Sequence, residues 1–175
     1  ATTDTASKYP SPCIYNGKSG YHTNKGVTWS TFKNLASKLG YSASCENFIS
    51  MPADIWGKIF KNGYWDFWQS DEIPFQSIAD FMTWTVWGSG GGTFGGSSGS
   101  VPHLTVYLKK RHGITAISKD DVKRQLLKLA EIKGERKIWE DLIRISGKKI
   151  NLISLGAAVL LAGSLYYLIN TNYKK

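Results

Sequence analysis

The sequence is poor in cysteine, because its 175 residues include only Cys13 and Cys45. Two cysteines are too few for the disulfide-dense scaffold of a small secreted domain, so that class is excluded. The two residues could pair in an exported protein, but we favour buried thiols over a disulfide. The eighteen glycines have no triplet period, which excludes a collagen-like chain.

Motifs for metal binding and nucleophilic catalysis are also missing. His22, His103 and His112 lack the i, i+4 spacing of a zinc-binding helix. The chain has no GxSxG turn, and its glycine-rich stretch lacks the Lys-Ser/Thr pair of a phosphate-binding loop. We therefore expect neither a metal site nor a cofactor.

Acidic residues are outnumbered, and the imbalance is confined to the C-terminal part of the chain. Residues 1–106 carry seven Lys and seven acidic residues, whereas residues 107–150 carry thirteen basic and six acidic ones. We call residues 107–150 the basic block. Such a block could attract anionic lipid, nucleic acid or an acidic cell-wall polymer. We favour anionic lipid and do not expect nucleic acid, because the block is poor in the aromatic residues that stack on bases.

The two ends of the chain differ in hydropathy. The first residues show neither a basic segment nor an apolar one, so we expect no secretory signal peptide. Residues 152–169 read LISLGAAVLLAGSLYYLI, an uncharged run with two Lys on either side. A helix of this length spans about 27 Å, close to the roughly 30 Å hydrocarbon core of a bilayer. The sequence predicts a transmembrane helix over residues 151–170, the alternative being a buried helix of a soluble domain.

The remaining pattern predicts a mostly α fold. Apolar residues recur at helical spacing in segments that cover roughly residues 28–39, 52–62, 75–86, 118–133 and 135–145. Ser118 and Asp121 form a capping-box pattern. Residues 88–100 are rich in Gly and Ser, and we expect them to form a flexible loop between an aromatic-rich part and a basic helical part.

Tryptophan is concentrated in the first of these parts. Six of the seven Trp lie between Lys25 and Gly88. An indole ring can hold a sugar by packing against the apolar face of a pyranose while nearby polar groups bond its hydroxyls, and the same ring can build a core. We expect about half of these Trp to be core residues, and the others point to a glycan ligand.

Several motifs in this part resemble those of glycoside hydrolase family 108, the lysozyme-like muramidases of bacteria and their phages. TNKGVT at residues 23–28 looks like a stretch of that family. GYWDFWQSD at residues 63–71, QSIAD at 76–80 and WTVWGSG at 84–90 are similar to the family's YWxxWxAD, QSxAN and WVWGSG, in the same order and at similar spacing. The resemblance covers roughly residues 8–90.

This resemblance implies a small lysozyme-like helical domain followed by the C-terminal transmembrane helix. It divides the chain into a lysozyme-like region (1–90), a Gly/Ser-rich loop (91–100), a basic helical region completing the domain (101–147) and the membrane helix (151–170). The implied ligand is the glycan strand of peptidoglycan, bound by residues of the motifs. These are Thr23, Asn24, Gly26, Thr28, Tyr64, Trp65, Trp84 and Trp87.

The family's general acid is absent from this sequence. The family has a Glu in a Glu-Gly-Gly motif upstream of TNKG, whereas the corresponding stretch here reads KYPSPCIYN, and no carboxylate lies between Asp4 and Glu46. Glycosidic cleavage ordinarily requires a protonated carboxylic acid at the leaving oxygen. Glu46 and Asp66 are the candidate replacements, and we expect a protein that binds glycan without cutting it.

These features together predict a membrane-anchored, lysozyme-like protein that acts on or binds bacterial peptidoglycan. The family's occurrence suggests a component of a phage virion or lysis system, placed in a phage internal membrane or a bacterial inner membrane. The alternative is a structural membrane protein that uses the lysozyme-like fold as an interaction module. Its partners would then be other virion or envelope proteins.

Overall fold

The computed structural model describes residues 23–145, and the fold over this range is mostly α, as predicted. Seven α-helices follow a two-stranded hairpin of β1 (Thr23–Asn24) and β2 (Val27–Thr28). The helices are α1 (Trp29–Ala36), α2 (Cys45–Ile49), α3 (Ala53–Phe60), α4 (Gln76–Ser89), α5 (Ser100–His112), α6 (Lys119–Lys133) and α7 (Glu135–Ile145). The predicted transmembrane segment, residues 151–170, lies outside the described residues.

The described residues form two compact units, 23–63 and 64–145. The predicted loop of residues 91–100 lies inside the second unit. Within residues 23–145, no helix is long and apolar enough to cross a membrane.

The core of the first unit is aromatic. Trp29, Phe32 and Ala36 are the buried residues of α1, and their spacing of three and four places them on one helix face. The ring of Phe32 packs on that of Phe48, with centroids 5.4 Å apart. Ile55 and Ile59 of α3 are also buried. Thr28 caps α1 by accepting a hydrogen bond from the amide of Thr31 at 3.1 Å.

Cys45, at the start of α2, corrects one expectation. It is disulfide-bonded and only partly buried, so our preference for buried thiols is wrong for this residue. The other cysteine of the sequence, Cys13, lies outside the described residues.

The second unit packs α4, α5, α6 and α7 around one apolar core. Its largest fully buried side chains include Trp68, Ile78, Leu108 and Leu126. The glycine-rich segment before α5 belongs to this unit, and backbone hydrogen bonds close its base. The amide of Ser100 donates to the carbonyl of Gly90 at 2.9 Å, and the next amide donates to the carbonyl of Gly91 at 3.2 Å. The segment is therefore a loop between two packed helices, closed at its base by these hydrogen bonds.

Candidate functional site

The predicted glycan-binding residues Thr23, Asn24, Gly26 and Thr28 form the hairpin of the first unit. Thr23 pairs with Thr28 across the two strands, and Asn24 pairs with Val27. Lys25 and Gly26 have φ values of 50° and 79°, so both occupy the left-handed region that a tight hairpin turn requires. The positive φ of the second turn position therefore explains why that position holds a glycine, Gly26.

Asn24 is bonded within the protein. Its amide nitrogen donates to the backbone carbonyls of Phe48 at 2.6 Å and Ile49 at 2.9 Å, and the residue is 9% exposed. The ammonium of Lys25 donates to the carbonyl of Met51 at 2.6 Å. These bonds fix the hairpin to the end of α2 and to Met51 just after it. The motif thus has a structural function, and its glycan-binding function stays a prediction.

Tyr64 and Trp65 lie at a π-helical turn, Lys61–Trp65, that directly follows α3. Such turns are rare and occur frequently at functional sites. The ring of Tyr64 packs on that of Trp87 from α4, with centroids 4.8 Å apart. The indole nitrogen of Trp65 donates to a carboxylate oxygen of Asp71 at 2.8 Å. The turn therefore brings three of the predicted site residues and one carboxylate to the same part of the second unit.

Both carboxylates considered as replacement acids, Glu46 and Asp66, are exposed. Glu46 lies in the first turn of α2 in the first unit, and Asp66 begins a short 3₁₀ helix in the second. A general acid at neutral pH needs a raised pKa, which burial commonly supplies. Neither residue is buried, so neither has the environment that commonly favours a general acid.

Asp80 is a carboxylate that the sequence reasoning overlooked. Burial raises its pKa, the negative charge of Glu135 adds to the effect, and a hydrogen bond from Gln76 at 2.7 Å opposes it. Its sequence signal was weak, since a helical Gln and Asp four residues apart are common on solvated faces. Asp80 therefore has the raised pKa that a general acid needs, whereas none of its contacts within residues 23–145 places it beside the aromatic residues of the motifs.

Trp84 faces a cleft of about 520 Å³ between α4, α5 and α7. The residues that line it are Phe81, Trp84, Thr85, Gly88, Ser89, His103, Leu104, Val106, Tyr107, Leu142 and Ile145. In the described part of the chain no carboxylate lines the cleft. The hydroxyls of Thr85 and Ser89 donate to carbonyls of their own helix, at 2.7 and 2.6 Å. The cleft is therefore mainly apolar, with few groups that could bond a sugar hydroxyl.

A chain of hydrogen bonds runs from the wall of this cleft to solvent. Nε2 of His112 lies 3.0 Å from the hydroxyl of Tyr107, and Nδ1 lies 3.1 Å from the ammonium of Lys133. Because an ammonium only donates, Nδ1 is the acceptor, and Nε2 carries the proton that Tyr107 accepts. Burial lowers the pKa of His112, and the charges of Lys133 and Arg111 lower it further. These surroundings therefore favour the neutral form of the imidazole.

No protein-family model, curated protein or solved structure matches this chain. The resemblance to family 108 therefore stays an expectation, and a function has to be argued from the residues themselves. In the second unit, Tyr64 and Trp87 are in contact and Trp65 is adjacent in sequence, while Trp84 lines the cleft. The hairpin residues belong to the first unit.

Proposed function

We propose that the chain is a membrane-anchored, lysozyme-like protein that binds peptidoglycan glycan strands and does not cleave them. The observation that carries the proposal is the π-helical turn that places Tyr64 against Trp87 and Trp65 beside Asp71. Tyr64, Trp65 and Trp87 are each only partly buried, so part of each ring reaches solvent.

This aromatic surface, which we define as Tyr64, Trp65, Trp87 and the carboxylate of Asp71, has the two elements that sugar binding needs. The rings offer apolar faces for a pyranose, and the carboxylate offers an acceptor for hydroxyl groups. Its residues come from the sequence motifs that resemble the family, which is why a glycan is the preferred ligand. The exposure of Glu46 and Asp66 supports binding without cleavage.

The membrane part of the proposal rests on the apolar run at residues 152–169 and on the basic block. In the described part of that block, Lys109, Lys110 and Arg111 are exposed at the end of α5, and Arg136 and Lys137 are exposed on α7. Exposed cations next to a membrane helix attract anionic lipid, each contributing about 1 kcal/mol. A phage virion or lysis system is the setting that fits a membrane-anchored relative of phage muramidases.

A binding experiment with the full chain in detergent tests the glycan proposal. Cosedimentation with purified peptidoglycan should weaken at least about fivefold for Tyr64→Ala and for Trp87→Ala, since an aromatic contact residue commonly contributes more than 1 kcal/mol. The matched control is Phe94→Ala, which removes an aromatic ring that is 42% exposed in the glycine-rich loop.

Circular dichroism of each variant shows whether the fold is retained. Equal cosedimentation of all the folded variants, or none by the unmodified chain, would contradict the proposal. The second result would favour the alternative in which the lysozyme-like fold serves as an interaction module.

A further inference from the structure

The cleft beside Trp84 is not accounted for by the aromatic surface, and its chemistry differs from that of a sugar site. Its floor is apolar, with Phe81, Leu104 and Leu142 at 6%, 2% and 3% exposure. Two apolar side chains on its lining remain open to solvent, Val106 at 49% and Ile145 at 41%. Its volume, about 520 Å³, lies in the range of small-molecule pockets.

One end of the cleft is cationic. Arg111 lies one helical turn beyond Tyr107 on α5, and Arg144 directly precedes Ile145 on α7. The charges of both guanidinium groups lower the pKa of Tyr107 against the stronger effect of burial, which raises it. Both guanidinium groups are thus close enough to Tyr107 to act on its hydroxyl electrostatically, and Arg144 also forms an ion pair with Asp141 on its own helix. An apolar floor with positive charge at one end suits a ligand that has a hydrocarbon chain and an anionic head.

The position of the cleft along the chain indicates where such a ligand would come from. Ile145 is the last described residue, and only residues 146–151 separate it from the apolar run at 152–169. The seven Cα–Cα steps from Ile145 to Leu152 span at most about 25 Å. If the run crosses a bilayer, the Ile145 edge of the cleft lies within that distance of the membrane surface, and Lys148 and Lys149 come between Ile145 and the run in the sequence.

We propose that the cleft between α4, α5 and α7 binds an anionic phospholipid of the same bilayer, with an acyl chain along Trp84 and Val106 and the head group at Arg111 and Arg144. This inference rests on the membrane anchor of the proposed function but not on glycan binding. It gives Trp84 a lipid ligand in place of the sugar that its motif suggests. A bound lipid would hold the second unit on the membrane surface.

Brominated acyl chains test this assignment, because bromine quenches an indole that it contacts. The full chain is reconstituted in vesicles of brominated phosphatidylcholine, with or without brominated phosphatidylglycerol, and vesicle flotation reports membrane attachment separately. We expect phosphatidylglycerol to add quenching that Trp84→Phe removes. Trp139→Phe, which changes a Trp of α7 outside the cleft lining, should keep it.

Two further pairs of variants test the site for the acyl chain and the site for the head group separately. Val106→Asp places a carboxylate in the cleft and should abolish the added quenching, whereas Ile132→Asp, at a residue of α6 that is 68% exposed, should not. Replacing Arg111 and Arg144 by Gln should weaken the preference for phosphatidylglycerol roughly fivefold per arginine. Removing two exposed charges outside the basic block, Lys33 and Lys38, by Gln should weaken it less.

Three other outcomes would overturn the proposal. A chain that floats with vesicles while Trp84 is not quenched would retain the anchor but exclude the lipid site. Equal quenching of Trp84 by neutral and anionic lipid would exclude the head-group site. A chain that does not float would remove the membrane anchor and the lipid site together, with glycan cosedimentation still to be decided by its own measurement.

Discussion

A carboxylate oxygen of Glu135 accepts two hydrogen bonds from Ser77, one from the backbone amide at 2.9 Å and one from the hydroxyl at 2.5 Å. Ser77 lies in the first turn of α4, where amides have no partner within the helix, and Glu135 is the first residue of α7. The bond therefore joins the starts of two helices that are 58 residues apart in sequence. The negative charge of the Glu135 carboxylate also lies at the positive end of the α4 dipole.

Glu135→Ala should lower the free energy of unfolding by about 2 kcal/mol, since hydrogen bonds to charged groups contribute about 1.5–3 kcal/mol. Glu135→Gln retains an acceptor oxygen and should lower the free energy of unfolding by a smaller amount. Urea denaturation measures both, with Glu131→Ala on the exposed surface of α6 as the control, which should change stability by less than about 0.5 kcal/mol.

Removing the negative charge of Glu135 should also lower the pKa of Asp80, which NMR titration would show. An unchanged pKa in folded Glu135→Gln would contradict the coupling.

Asp80 and Asp121 should give opposite dependences of stability on pH. Burial raises the pKa of Asp80, so its contribution to stability is present below the unfolded pKa and is lost as pH rises through the folded pKa. A hydrogen bond from the amide of Ile117 is the main cause that lowers the pKa of Asp121. Its contribution is present above the unfolded pKa and is lost as pH falls through the folded pKa.

Asp80→Asn should therefore raise the melting temperature at neutral pH, and Asp121→Asn should lower it. The Asp80→Asn difference should shrink as the pH falls toward the ordinary carboxyl pKa of 3.8, and the Asp121→Asn difference as the pH falls below that value. Thermal melts of the two variants and the unmodified chain at a series of pH values measure this. Parallel curves for all three proteins would show that neither carboxyl is perturbed in the way described.

Asn24 provides a test of how much of the TNKGVT motif is structural. Asn24→Ala leaves the carbonyls of Phe48 and Ile49 without their donor, which should cost about 1–3 kcal/mol of stability. The control is Asn34→Ala on the exposed face of α1. If the residue also binds glycan, peptidoglycan binding by the folded variant should fall as well. Stability equal to that of the unmodified chain would contradict the structural function.

The sequence predicted those features that depend on residues close together in the chain. The hydroxyl of Ser118 accepts from the amide of Asp121 at 3.1 Å, which confirms the predicted cap of α6. The helix α5 was predicted only as part of the basic helical region of residues 101–147, without bounds of its own, because the preceding Gly and Ser residues obscured its start, although Pro102 in its first turn was an available signal. The bond from Ser77 to Glu135, and the cleft at Trp84, join residues far apart in sequence, and periodicity carries no information about such pairs.

Membrane attachment should depend on the C-terminal residues. The full chain should partition into detergent or lipid, and a chain lacking residues 151–175 should remain in the aqueous phase. The reason is the uncharged run of residues 152–169 with Lys on both flanks. Phase separation in a mild detergent measures the difference, with the aqueous solubility of the shortened chain as the control. Recovery of the full chain in the aqueous fraction without lipid would show that the segment is a buried helix of a soluble domain.

The unmodified chain should show little or no cleavage of peptidoglycan. General acid catalysis contributes about 10²- to 10⁴-fold to a rate, and a glycan-binding surface without a proton donor can only position the substrate. Zymography and analysis of soluble digestion products measure cleavage, with an active muramidase as the positive control.

If cleavage occurs, the variants Glu46→Gln, Asp66→Asn and Asp80→Asn identify the general acid. We expect Asp80 to be that acid in this case, because its pKa is raised whereas Glu46 and Asp66 are exposed. Loss of activity in one variant with an intact fold would make the protein a divergent enzyme, and activity that survives all three changes would place the active site outside these carboxylates.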